Sequence, residues 1–203
     1  MRILVLGPID DKLVVRKENY DLVIAVDMGL KNALKRDIKV DVAIGDFDSL
    51  EDNGLLDKIE TVIKFNEEKD DSDFECALKY IDSFYKNSEV EVLGFLYGNR
   101  LDHLLNNILL LYKYSNLKIR FISEKTNLYL LNKGEHKLVK NKFKYISFFA
   151  LKKAIVQLKN GFKYKVNNEC IDIDSTKFIS NEIVEEIAYL NVDNNLIVME
   201  CND

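Results

Sequence analysis

Cysteine is scarce and poorly placed for cross-linking: Cys76, Cys170 and Cys201 are odd in number, widely spaced and without a C-x-x-C pair. Neither a disulfide framework nor a structural zinc site is indicated, and the thiols read as buried or incidental. No run of about 18 apolar residues occurs, so no membrane-spanning helix is expected. The opening MRILVLGPIDDK has too short an apolar stretch, and no small-residue cleavage site, for a secretory signal, so the expected location is cytoplasmic. A basic excess is also missing. Lys and Arg number 29 against 34 Asp and Glu, for a formal charge of -5, and the lysines are interleaved with acids throughout. That balance argues against nucleic acid as a partner while leaving room for a small anion held by local groups. Internal repeats, low-complexity segments and long linkers are absent.

What is present is enough apolar residue, 47% of 203, to build packed cores in one large domain or two small ones. Through about residue 124, RILVL, DLVIAV, VAI, TVIKF, EVEVL and LKIRFI read as strands alternating with amphipathic stretches, the pattern of a parallel α/β sheet with covered faces. Ser72 and Glu75 have capping-box spacing, and Phe74, Ala77, Leu78, Ile81 and Tyr85 follow on one helical face. A second helix is expected over 101–114, with Leu104, Leu105, Ile108, Leu111 and Tyr112 inward. From Asn127 onward NLYLL, KYISFFAL, AIVQL, FKYKV, EIAYLNV and LIVME replace the helical period, and Asn194-Asn195 suggests a hairpin turn. These runs predict an antiparallel sandwich or barrel, and the expected domains are 1–124 and 125–203.

The chemically capable side chains cluster at strand ends. Asp27 follows LVIAV, Asp46 and Asp48 follow VAI, Asp70, Asp71 and Asp73 come soon after TVIKF, and Arg100, Asp102 and His103 follow EVEVLGF. In an open parallel sheet these loops converge beyond the carboxyl ends of the strands, where ligands bind. Asp46 and Asp48, two apart on an extended chain, would aim at one spot and repel. Mg²⁺ bound with substrate phosphates would relieve that repulsion, since it takes hard oxygen ligands. Gly98 allows close backbone approach, and Arg100 offers a forked donor to phosphate. Singly, each aspartate reads better as a turn residue or helix cap, and Asp71 as a partner for the helix dipole. Gly7 and Pro8 lack the G-x-G-x-x-G context of a dinucleotide site.

GDFDS (45–49), KDDSD (69–73) and GNRLDH with Asn107 resemble, in order and spacing, the three main signatures of the thiamine pyrophosphokinases. VDMGL, ISFFAL, GFKY and SNE are weaker echoes of other family segments. Met28, Ser72, Asn99 and Ala150 depart from the usual residues, and the glycine that opens the G-x-x-G-G-R loop is replaced at Phe95, with Gly94 one residue early. The resemblance implies a Rossmann-like α/β domain followed by a β-sandwich, a homodimer with shared active sites, and transfer of the pyrophosphoryl group of ATP to thiamine. It implies Mg²⁺ on Asp46, Asp48 and Asp73, charge neutralisation by Arg100, and Asp102 orienting the thiamine hydroxyl. ATP would contact Asp27, Gly29, Ser49, Lys69, Asp70, Ser72, Gly98, Asn99 and His103; thiamine would contact Asp102, Ser180 and Asn181. Another Mg²⁺-dependent phosphotransferase or phosphohydrolase, or a non-catalytic nucleotide- or thiamine-binding module, would use the same aspartates.

Overall fold

The computed structural model describes residues 1–48, 50, 53–66, 70–98 and 100–203. The chain forms two compact units, Met1–Glu124 and Lys125–Asp203. Among the described residues no helix is long and apolar enough to cross a membrane.

In the first unit the six expected strands all form: β1 (Arg2–Leu6), β2 (Leu22–Val26), β3 (Val42–Gly45), β4 (Thr61–Lys64), β5 (Glu89–Leu93) and β6 (Lys118–Ile122). They pair in parallel in the order β4-β3-β2-β1-β5-β6. Every residue of β2 is buried, which a strand covered on both faces requires. Leu30 and Ala33 of helix α1 (Gly29–Lys35) join Leu4, Leu6, Val23 and Ala25 in one core cluster, while α2 (Asp73–Phe84) packs on β2 and β3. The strand order reverses at β1, so the loops after β1 and β5 flank a crevice of the kind that binds ligands in doubly wound sheets.

Two helical expectations need correction. Ser72 caps α2, its Oγ accepting from the Glu75 N–H at 3.2 Å, but the Glu75 carboxylate does not complete a capping box. It turns inward to Lys113 and the Tyr114 hydroxyl at the far end of α3 (Leu101–Lys113), exchanging a cap for a tie between helices. On α3, Leu111 is buried as expected, but Leu105 is 59% exposed; Leu110 and Asn107 take the inner positions instead. The inward stripe is therefore rotated from the one that the leucine-rich pattern suggested, because leucines occupy both faces.

The second unit is an antiparallel sandwich. β13 (Leu196–Cys201) pairs with β7 (Thr126–Leu131) and β9 (Tyr145–Phe149), and a second sheet runs β11 (Val166–Ile171), β10 (Ala154–Leu158), β12 (Ile187–Val192), β8 (Gly134–Val139). Phe148, Val156, Phe162, Leu190 and Val198 share its core. FKYKV is not a strand: Phe162 makes one bridge to Ile183, and pairing begins only at Val166. Strands β8 and β11 escape the sequence pattern because both lie at sheet edges, where polar side chains face solvent and alternation fades. Asn194-Asn195 forms no hairpin, since β12 and β13 belong to different sheets. The Asn194 amide instead donates to the Lys153 carbonyl, and Asn195 Oδ1 accepts from the Lys133 N–H.

Candidate active site

The parallel pairing of β2 with β3 sets Asp27 beside Asp46 and Asp48. Carboxylate oxygens of all three lie within 4.8 Å of one another. The route to this convergence differs from the extended-chain expectation. β3 ends at Gly45, and Phe47 adopts φ 58°, a left-handed conformation that is costly for a bulky residue and is held by burial of its ring. The resulting turn lets the Asp48 N–H donate to Asp46 Oδ1 at 3.3 Å.

Asp27 also has a positive φ, 47°. Its Oδ1 is buried and, among the described residues, lacks a hydrogen-bond partner. Burial raises the Asp27 pKa above the ordinary aspartate range, against a lowering hydrogen bond from the Met28 N–H; the negative charges of Asp73, Asp46 and Asp48 raise it further. Asp73 is the first residue of α2 and is felt electrostatically by Asp27, though it lies outside the mutual 4.8 Å group. Three to four carboxylates meeting at one strand edge, one with an orphaned oxygen, suit a hard divalent cation.

Beside the carboxylates is a cavity of about 300 Å³. Asp27, Ser72, Asp73, Gly98, Arg100 and His103, all anticipated from sequence, line it together with Ile9, Phe74, Phe95, Tyr97, Leu104 and Asn107, which were not assigned contact roles. In the altered glycine loop Gly94 takes φ 86°, and a Cβ there would meet the Ile9 carbonyl oxygen at 2.6 Å. Phe95 is free to pack its ring on Phe74, with centroids 4.5 Å apart. The apolar wall could not be foreseen from motifs, because Ile9, Phe74, Phe95 with Tyr97, and Leu104 belong to four separate segments brought together only by the fold.

Arg100 and Asp102 form a forked ion pair, with Nε to Oδ1 at 3.0 Å and a terminal nitrogen to Oδ2 at 2.7 Å, both side chains exposed. The Arg100 hydrogen bond holds the Asp102 carboxyl well below its usual range, so Asp102 is a weak proton acceptor while the pair is closed. His103 Nε2 is 4.0 Å from Asp102 Oδ2. Gly29 has a packing reason to be glycine, since a Cβ would lie 2.0 Å from the Leu6 carbonyl oxygen. Asp70 is exposed, and Asp71 pairs with Lys79 in the middle of α2 rather than acting only on the dipole. Ser49, Lys69 and Asn99 lie outside the described residues.

Ser180 and Asn181 belong to the second unit. Ser180 has φ 57° and donates its N–H to Ser147 Oγ at 2.9 Å. The buried Asn181 amide accepts from the Tyr164 N–H at 3.0 Å and the Glu182 N–H at 2.8 Å, and donates to the Tyr164 carbonyl at 2.8 Å.

Comparison with known proteins agrees along the whole chain. Residues 15–123 match the model of the thiamin pyrophosphokinase catalytic domain, and residues 135–197 that of the thiamin pyrophosphokinase vitamin B1 binding domain. A thiamine pyrophosphokinase of Bacillus subtilis is 32% identical over 189 residues, 90% of this chain and 87% of that protein. The crystal structure of thiamine pyrophosphokinase from Bacillus subtilis superposes with a TM-score of 0.85 at 30% identity, and a thiamin pyrophosphokinase family protein from Enterococcus faecalis with 0.91 at 25%, each over 100% of both chains. With both domain models matched in order and a relative similar over nearly its full length, the chain belongs to the thiamin pyrophosphokinase family.

Proposed function

We propose that this chain transfers the pyrophosphoryl group of ATP to the hydroxyl of thiamine, giving thiamine diphosphate and AMP, at the cleft between the carboxylates of Asp27, Asp46, Asp48 and Asp73 and the start of α3. The observation that carries the reading is the orphaned Asp27 oxygen within the mutual carboxylate group, beside a cavity walled by the family's signature loops. Mg²⁺ fits this donor set of hard oxygens, with Asp27, Asp46 and Asp48 as its holders and Asp73 adjoining; bound there, it would neutralise phosphate charge. Phosphoryl chemistry needs in-line positioning and charge neutralisation more than a protein nucleophile.

The chain's own contribution centres on Arg100. Its guanidinium, exposed and now engaged by Asp102, would move to the phosphates of ATP, which match its forked donors better than one carboxylate does. That exchange frees Asp102 and restores its ordinary basicity, so that it can orient the thiamine hydroxyl and accept its proton late in the transfer. Ser72 and Gly98, both at the cavity, supply a hydroxyl and close backbone approach on the ATP side.

Assembly as a homodimer is part of the proposal. Leu101, Leu105 and Leu109 form an exposed stripe on α3, a helix face suited to cover by a second copy. The vitamin B1 binding domain match includes this turn, which supports a thiamine contact at the exposed Ser180, with the buried Asn181 holding the loop that presents it. A cytoplasmic setting, where ATP is held, accords with three cysteines that form no disulfide.

Mass spectrometry of a reaction with ATP, Mg²⁺ and thiamine tests the function. AMP and thiamine diphosphate appearing one-for-one is the expected result; ADP, or phosphate released without thiamine, would overturn it. Leu105→Glu should shift the sedimentation of the dimer to that of a monomer, since this exposed position contributes nothing to the fold of one chain.

A further inference from the structure

Helices α2 and α3 both begin at the cavity. Ser72, Asp73 and Phe74 reach it from the start of α2, and Arg100, His103 and Leu104 from the start of α3. The acidic and basic sides of the site face one ligand only if the two helices keep a fixed relation. Glu75 joins them. It lies two residues beyond Asp73, in the first turn of α2, and is 8% exposed. Its Oε1 accepts from Lys113 Nζ, on the last residue of α3, and from the Tyr114 hydroxyl at 3.2 Å. Lys113 Nζ also lies 5.9 Å from the centre of the Tyr114 ring, so the three groups form one cluster.

Ordinary uses do not account for a buried carboxylate at this position. A negative charge in the first turn favours the helix dipole without burial, and Asp73 already supplies one. Packing would be served by an apolar side chain, as at Phe74 and Leu78 of the same helix. Net stability is a poor reason too, because withdrawing the carboxylate from water offsets its attraction to Lys113, whose side chain is 58% exposed. What the cluster adds is direction. Apolar contact is non-directional, whereas hydrogen bonds of defined angle set the end of α3 against the first turn of α2. At about 1.5 Å per residue the cluster lies about 3 Å along α2 from Asp73, so a displacement there passes almost undiminished to the carboxylate at the site.

We infer that Glu75 is a positioning residue: through Lys113 and Tyr114 it fixes α3 against α2, and so holds the Arg100 side of the cavity at its working distance from Asp73. It touches no substrate. The inference rests on the proposed function for the reaction that this placement serves.

The test compares rates and melting temperatures of wild type, Glu75→Gln, Lys113→Met and Lys113→Arg in the formation of thiamine diphosphate from ATP, Mg²⁺ and thiamine. Glu75→Gln, which keeps the shape and removes the charge, and Lys113→Met should each lower kcat about 10-fold and leave KM for either substrate within about 2-fold, because misplacement is felt chiefly in the transition state. The double variant should lose no more than the worse single one, as residues acting together do. Lys113→Arg, which keeps the charge of the tie, should stay within about 2-fold of wild type. Unchanged kcat in Glu75→Gln and Lys113→Met, whatever their melting temperatures, or a change in KM alone, would overturn the inference and leave a structural ion pair. If Glu75→Gln does not fold, Lys113→Met, altered at a side chain more than half exposed, carries the same comparison. A wild-type protein that forms no thiamine diphosphate refutes the proposed function instead, and hydrogen exchange then judges the tie by itself. Lys113→Met should speed exchange at 101–107 as well as near the substitution; an increase confined to 110–117 would overturn the inference.

Discussion

Two asparagines, one in each unit, are buried to nearly the same degree and used in opposite ways. Asn181, 5% exposed in the β unit, spends its amide on the backbone of Tyr164 and Glu182; Asn107, 7% exposed in the α/β unit, lines the active-site cavity instead. The same contrast extends to charge. Glu182 of the β unit is paired with Lys163, whereas the α/β unit gathers Asp27, Asp46 and Asp48 into one place and leaves an Asp27 oxygen orphaned. Where polar groups are satisfied internally they fix a loop; where they are left wanting, a ligand is the missing partner.

The sharpest break in that comparison is Asp48→Asn. In the α/β unit it should lower turnover on the order of 100-fold or more while leaving the apo fold as stable or more stable, because neutralising one carboxylate relieves its repulsion with the others. AMP release and a melting curve on the same sample check both halves. Arg100→Ala follows, with kcat reduced about 100-fold and KM changed much less, as expected for a contact strongest in the transition state. Unchanged kcat, or loss of the fold, would make Arg100 a structural residue.

The β unit predicts the reverse pattern. Asn181→Ala should destabilise by about 1 to 3 kcal/mol, since it strands the Tyr164 N–H and carbonyl together with the Glu182 N–H. Denaturant unfolding measures this directly. A variant as stable as wild type would show that water replaces the amide without cost, and the contrast with the orphaned Asp27 oxygen would lose its meaning.

The legibility of the sequence followed the same division. The parallel strands could be read because both faces are apolar, and the three acidic or basic signature loops could be read because their residue types are unusual in combination. The inner face of α3 was misplaced at Leu105, since leucines ring that helix and periodicity alone cannot choose between faces. Asp27 was foreseen among the converging carboxylates but as a nucleotide neighbour rather than a holder of the metal. Its place depends on β2 lying beside β3 and on left-handed turns at Asp27 and Phe47, neither of which residue type announces. Edge strands β8 and β11 were lost among polar residues for the same reason: their partners, not their composition, make them strands.

Asp27 gives the most direct test that the unpartnered groups exist for a ligand. Burial and the neighbouring carboxylates raise its folded pKa, so the native state holds a proton more tightly than the unfolded chain does. Its contribution to apo stability is therefore fully present below the ordinary aspartate range and is lost as pH rises through the raised value. Mg²⁺, binding the ionised form, should restore stability increasingly as pH rises through the same window. Melting wild-type protein and Asp27→Asn at neutral pH, with and without Mg²⁺, isolates the effect. The account predicts that Asp27→Asn melts higher than wild type without Mg²⁺ and that Mg²⁺ raises wild type far more than the variant. An Asp27→Asn protein that melts lower than wild type without Mg²⁺, and gains as much from the ion, would contradict it.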